Sequence, residues 1–265
     1  MALLGLATSC AGTPYRARVE ARAAREGFER ATLRAGGFVL TRYLRASPNA
    51  DLLVVYLEGD APAWQPDPLH VTREPPALEP LALELATRDP APAVAWLGRP
   101  CQPVAPADAT GCEPSLWSHR RFSEPVVAAL GLGLDALRRE TGARRLELVG
   151  YSGGGVLATL LAARRDDVDR LVTVAAPLDL AAWLALHELG PLEAVDPSRV
   201  DAPRLDTLRQ HHLAGERDRI VPPEIVLGYG RRRPRARLEV VPGRGHGDWS
   251  EDWGERIARI RRKDP

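Results

Sequence analysis

Four short, nearly continuous apolar runs limit what this chain can fold into: "DLLVVYLEG" at 51–59, "PAVAWLG" at 92–98, "RRLELVG" at 144–150 and "DRLVTVAAP" at 169–177. A strand with one wet face alternates apolar and polar residues, whereas a continuous run belongs to a strand covered on both faces. The stretches between and after these runs read as helices: 80–89, 118–141 with Ser118 or Ser123 as cap and Pro125 in the first turn, 153–165, 223–230 and the amphipathic 248–262. "GGFVLTRYLR" at 36–45 reads as a strand closed by Ser47-Pro48-Asn49, and 209–216 and 236–243 as further strands. Residues 16–35, rich in Arg, Ala and Glu, read as helix. Alternation of this kind predicts an α/β protein with a mostly parallel sheet, helices on both faces and right-handed crossovers. The 265 residues suffice for one large core, and no Gly/Ser linker divides them.

Charge narrows the function classes. The 36 Lys and Arg nearly cancel the 35 Asp and Glu, so no global field favours nucleic acid. The cluster "GRRRPRAR" at 230–237 reads as a solvated loop and strand edge. "MALLGLATSCAG" has the form of a bacterial lipoprotein signal: an apolar run, small residues, then Cys10 as lipid acceptor, though without a basic n-region. The expectation is a lipid-anchored, periplasmic protein of the bacterial envelope, or a cytoplasmic one if that signal is accidental. Cys101 and Cys112 lie in "RPCQPVAPADATGCEP", a loop that a disulfide can close for roughly 2–3 kcal/mol. One lipid site and one bridge suit an oxidising compartment. Neither their spacing nor any nearby histidine suits a metal.

Ligands of open parallel sheets bind at the carboxyl ends of the strands. One such end reads "GYSGG", residues 150–154, a G-x-S-x-G between an expected strand and an expected helix. A nucleophile on so sharp a turn needs small neighbours, and the helix start supplies free N–H groups and a positive dipole end. Ser152 is therefore the candidate nucleophile. A serine hydroxyl needs a base. Of the histidines after it, His246 sits in a glycine-rich loop following a late strand, "VPGRGHGDW"; His211 and His212 fall within a strand and His187 among helical residues. The orienting acid should follow the preceding strand. Asp218 in "HHLAGERDRIVPPE" fits, with Glu216 close by and Asp179 more distant as rivals.

With these motifs in order, the chain resembles the α/β-hydrolase superfamily from about residue 36 to 262, through "LLVVYLEGD", "LELVGYSGGG", "GERDRIVP" and "GRGHGDW". It looks closest to exported bacterial members with an "EGD…W" loop and an "RPC" stretch after the next strand. The resemblance implies a signal-like segment and helical lead-in at 1–35, a hydrolase domain at 36–265 and a short cap at about 179–208. It makes Ser152 the nucleophile, His246 the base and Asp218 its orienter, with backbone N–H groups of Gly153 and Asp60 as the oxyanion hole. Many members carry His-Gly where this chain has Glu58-Gly59. An acidic side chain beside an oxyanion is counterproductive, so Asp60 should point away or be paired. Trp64, His70, Trp183 and Leu186 are candidates to line a pocket. The activity implied is ester hydrolysis through an acyl-enzyme, on a small ester-like substrate and with no cofactor. Acyl transfer by the same triad, or a non-catalytic binding lipoprotein on the same fold, are the alternatives. No role for Gly155 is evident beyond room for a neighbouring element.

Overall fold

The computed structural model describes residues 15–60, 79–102 and 108–263, so Cys10, Trp64 and His70 lie outside the described residues. Eight strands form one open sheet: β1 (Glu29–Ala35), β2 (Phe38–Ala46), β3 (Leu52–Leu57), β4 (Ala93–Leu97), β5 (Arg145–Tyr151), β6 (Val168–Val174), β7 (Arg209–Gly215) and β8 (Arg237–Val241). Their spatial order is β1-β2-β4-β3-β5-β6-β7-β8. The first two pairings, β1 with β2 and β2 with β4, are antiparallel, and β3 through β8 run parallel.

Successive residues of the central strands serve opposite faces, as the period of two requires. Leu53, Val55, Leu57, Leu146 and Leu148 face a core with α3 (Glu124–Thr141) and α4 (Gly153–Ala162). Val54, Tyr56, Val149 and Val172 face a second core with α1 (Tyr15–Arg25), α2 (Leu81–Arg88) and α8 (Trp253–Lys263). The remaining helices, α5 (Leu180–Leu186), α6 (Pro203–Thr207) and α7 (Pro223–Arg232), accompany the β6–β8 side.

Two sequence expectations need correction. The helix expected over 16–35 ends at Arg25, and Glu29–Ala35 is strand β1, paired with β2 from Glu29–Leu44 to Ala35–Phe38. The cause is Gly36-Gly37, whose φ angles of 58° and 88° make a two-residue hairpin turn. Pairing along a full strand outweighs the helix preference of Arg, Ala and Glu. The sheet therefore begins inside the stretch read as a helical lead-in. Second, the basic cluster at 230–237 is not wholly solvated. Arg233 is buried, pairs with Asp206 at 2.6 Å and donates to the Val200 carbonyl, while Arg232 reaches Asp179 at 3.2 Å. The cluster thus ties α7 to both ends of the 179–208 segment.

Helix α8 is fastened by charge as well as by apolar packing. Arg261 is bidentate to the buried Asp89 (2.7 Å to each oxygen) and also reaches the buried Glu147 at 2.7 Å. The Tyr56 hydroxyl donates to Asp89 at 2.6 Å, and Trp253 Nε1 donates to that hydroxyl at 2.8 Å. This network holds the helix that follows the loop bearing His246.

Candidate active site

The turn between β5 and α4 carries Ser152 at φ 50° and ψ −125°, a left-handed conformation that a non-glycine residue adopts at a cost. Its own N–H donates to the Val174 carbonyl at 2.8 Å, and its carbonyl accepts from Gly155 at 2.9 Å. The glycines around it are dictated by close approach. A Cβ on Gly154 would collide with the Leu57 and Glu58 carbonyl oxygens, and one on Gly155 with the Ala176 Cβ. Gly155 therefore does give a neighbouring element room: it lets α4 pass the end of β6.

Ser152, His246 and Asp218 come together from three loops. His246 Nε2 lies 3.1 Å from Ser152 Oγ, and its Nδ1 lies 2.8 Å from Asp218 Oδ2. Asp218 Oδ1 accepts the backbone N–H groups of Ile220 and Val221, both at 2.9 Å, in a tight turn that fixes the carboxylate. The Asp218 side chain is fully buried; the His246 side chain is 16% exposed. The loop after β8 is held in turn. Trp249, itself buried, donates through Nε1 to the His246 carbonyl at 2.9 Å, and Gly245 N–H donates to Asp248 at 3.0 Å. The Tyr151 ring packs against the imidazole with centroids 5.3 Å apart. Gly215 lets the two loops meet, since a Cβ there would fall 2.6 Å from the Arg244 carbonyl oxygen.

The rival residues are engaged elsewhere. Glu216 accepts from Gly243 N–H at 2.7 Å, and Asp179 caps α5 through Ala182 N–H at 3.1 Å. His211 faces Glu239 at 3.2 Å, and His187 Nε2 lies 2.7 Å from the Ile220 carbonyl. His212 is buried against Thr173 and Gln210. Burial, with a smaller contribution from His211, pushes its imidazole down to about 3, so it stays neutral at ordinary pH. The pocket candidates divide. Trp183 donates through Nε1 to the Ile220 carbonyl at 2.7 Å and so packs onto the loop of Asp218. Leu186 is 54% exposed.

The loop after β3 lies directly against the serine. A Cβ on Gly59 would be 3.1 Å from Ser152 Cβ, and a Cβ on Gly153 would be 2.6 Å from the Asp60 carboxylate. Two residues that sequence reasoning left without a role emerge here. Arg99 and Arg121 both pair with Asp60, Arg121 Nε at 3.0 Å. Arg99 belongs to the "RPC" stretch, whereas nothing in the sequence around Arg121 signals its part. Desolvation would raise the Asp60 carboxyl, but the two guanidinium groups outweigh it and hold it below the usual range. Glu58, fully buried, accepts from Ala82 N–H (3.0 Å), Leu83 N–H (3.3 Å) and Trp96 Nε1 (2.9 Å). The Cys101 and Cys112 sulfurs lie at bonding distance, with Cα atoms 5.7 Å apart. Among the described residues no group of three or more His, Cys, Asp or Glu side chains is placed to hold a metal, and no helix is long and apolar enough to cross a membrane.

No protein-family model and no curated protein sequence matches this chain. Solved structures do match it. Esterase Est1E from Butyrivibrio proteoclasticus superposes with TM-score 0.59 at 15% identity, over 88% of this chain and 99% of its own. An esterase from Pyrococcus furiosus gives 0.58 at 13% identity, over 91% and 94%. A membrane phospholipase A described as a bacterial virulence factor gives 0.59 at 15%, over 94% and 90%. The chain has the α/β-hydrolase fold.

Proposed function

We propose that this protein is a serine hydrolase of carboxylic esters, with Ser152 as nucleophile, His246 as general base and Asp218 as its orienter. The observation that carries the reading is the continuous hydrogen-bond chain from Ser152 Oγ through His246 to Asp218, built on a strained strand-to-helix turn. In this reading Ser152 Oγ attacks the ester carbonyl carbon while its proton passes to His246 Nε2. The imidazolium that forms is stabilised by Asp218 and then protonates the departing alkoxide. Water, deprotonated by the same imidazole, hydrolyses the acyl-enzyme and releases the acid. The oxyanion of each tetrahedral intermediate is bound by the backbone N–H groups of Gly153, at the head of α4, and of Asp60. Each such donor is typically worth about 3–4 kcal/mol of barrier. The esterases among the structural neighbours support the substrate class. A fluorophosphonate probe should label the wild type and not Ser152→Ala; equal labelling, or none, overturns the reading. Initial rates on p-nitrophenyl esters of increasing chain length then define the acyl preference.

Attachment to the bacterial envelope through a lipid on Cys10 belongs to the same proposal. It is supported by the signal-like N-terminal sequence and by the paired Cys101 and Cys112, which suit an oxidising compartment. The intact mass of the exported protein should carry a diacylglyceryl group on Cys10; an unmodified cysteine there removes the anchor.

A further inference from the structure

The three residues "Glu58-Gly59-Asp60" pass directly over the nucleophile, yet two of them are acids. Negative charge beside a developing oxyanion raises the barrier, so the arrangement calls for an explanation. Each acid is gripped by a different part of the scaffold, on opposite sides of the backbone between them. Glu58 turns inward to the first N–H groups of α2 and to Trp96 of β4. Asp60 turns to Arg99, in the loop after β4, and to Arg121, just before α3. Neither arginine is free to drift. Arg99 donates to the Arg121 carbonyl at 2.6 Å, Arg121 donates to the Ser118 carbonyl at 3.0 Å, and both guanidinium groups lie over the Phe122 ring, at 5.4 and 5.2 Å. Both are buried, at 3% and 5% exposure. Cys101, two residues beyond Arg99, is closed onto Cys112.

Resting on the hydrolase reading above, we infer that Asp60, Arg99 and Arg121 form an ionic clamp that positions the Asp60 backbone N–H in the oxyanion hole and outweighs the charge of the Asp60 carboxylate. Two guanidinium groups face one carboxylate, so the clamp carries one positive charge in excess among the described residues. Geometry and charge then act together. The loop needs no reorganisation as the oxyanion forms, and the field at the reacting carbonyl favours it. Arg99 and Arg121 are positioning residues; they act through Asp60 and do not touch the substrate.

The test uses the full-length, disulfide-bonded protein with Arg99→Gln, Arg121→Gln and Arg121→Lys. Melting temperature, fluorophosphonate labelling, kcat and KM on p-nitrophenyl butyrate, and inhibition by phenylboronic acid are measured for each. The boronic acid reports the hole, because Ser152 Oγ bonds to boron as its proton passes to His246, leaving a tetrahedral anion. In folded Gln variants kcat should fall about 100-fold. KM should stay within about threefold, boronate inhibition should weaken in step with kcat, and Arg121→Lys, which keeps the charge, should recover part of both. A folded Gln variant with kcat within about threefold of wild type overturns the clamp, as does a loss of kcat with boronate inhibition unchanged. If the Gln variants do not fold, Asp60→Asn, which removes the charge the two guanidinium groups grip, is judged by the same criteria. A wild type that neither labels nor turns over ester refutes the hydrolase reading itself, and the clamp falls with it; a labelled, active wild type with unaffected variants refutes the clamp alone.

Discussion

At the scale of single residues, most of the chemistry rests on groups whose freedom has been removed. Ser152 is held in a left-handed turn by the steric closeness of its glycines, and Asp218 by two backbone N–H groups. In the proposed triad Asp218 sets which imidazole nitrogen bears the proton, so Asp218→Asn should preserve the fold and lower kcat by about 10⁴, as seen by steady-state ester hydrolysis. Glu58 makes a different prediction. Burial pushes its carboxyl up to about 7 from the ordinary 4.5, against the pull of its N–H donors. Between these pH values the folded chain keeps a proton that the unfolded chain releases, so folding stability declines as pH rises from about 4.5 to 7 and then levels off. Glu58→Gln, uncharged throughout, lacks this slope. Urea unfolding should show wild type losing on the order of 3 kcal/mol relative to Glu58→Gln between pH 4.5 and 8. A difference that does not change with pH would contradict the assignment.

At the scale of elements, the loops that carry Ser152, Asp218 and His246 are only as exact as the helices and strands behind them. Helix α8, which follows the His246 loop, is anchored through Arg261 to two buried carboxylates, Asp89 and Glu147. Glu147 also receives Arg170 at 3.0 Å, whereas the other donors to the Asp89 carboxylate among the described residues are neutral, the Tyr56 hydroxyl and the Ala91 N–H. Arg261→Met should therefore destabilise the protein by about 3–5 kcal/mol, because it strands buried charge without removing it. Denaturant unfolding checks this, and a Met variant as stable as wild type would show that the network contributes no net stability. Packing at the strand ends makes a second prediction. Gly155→Ala puts a methyl group against Ala176 beside a serine that is already strained. The expected outcome is a lower melting temperature by several degrees and weaker fluorophosphonate labelling than wild type, whereas Gly190, with open space around it and no left-handed φ, should accept Ala without clash or strain.

Across the whole molecule, the loops that carry the proposed triad follow the carboxyl ends of β5, β7 and β8, which run parallel in one sheet. Cys101, two residues beyond Arg99, lies at bonding distance from Cys112. Reduction, or Cys101→Ser with Cys112→Ser, should cost about 2–3 kcal/mol of stability in denaturant unfolding. If oxidised and reduced protein unfold at the same denaturant concentration, the bridge has no stabilising role. The parallel core strands, the nucleophile turn and the order Ser152, Asp218, His246 are all legible in the sequence, because each is written locally. Apolar runs, glycine spacing and strand-to-loop transitions depend on neighbours a few residues away. Strand β1 was not legible from composition, since its Arg, Ala and Glu favour helix until Gly36-Gly37 folds it back onto β2. The partners of Asp60 were hidden for a stronger reason. Arg99 and Arg121 lie 39 and 61 residues beyond it, and no local pattern distinguishes them among so many other arginines. Sequence by itself determined the fold class and named the groups able to do the chemistry, because those follow from periodicity and residue type. Only the tertiary structure separated Asp218 from its rivals Glu216 and Asp179 and showed what balances the charge of Asp60 and which neighbour fills the space beside Gly155, because contacts between distant segments exist only once the chain has closed on itself.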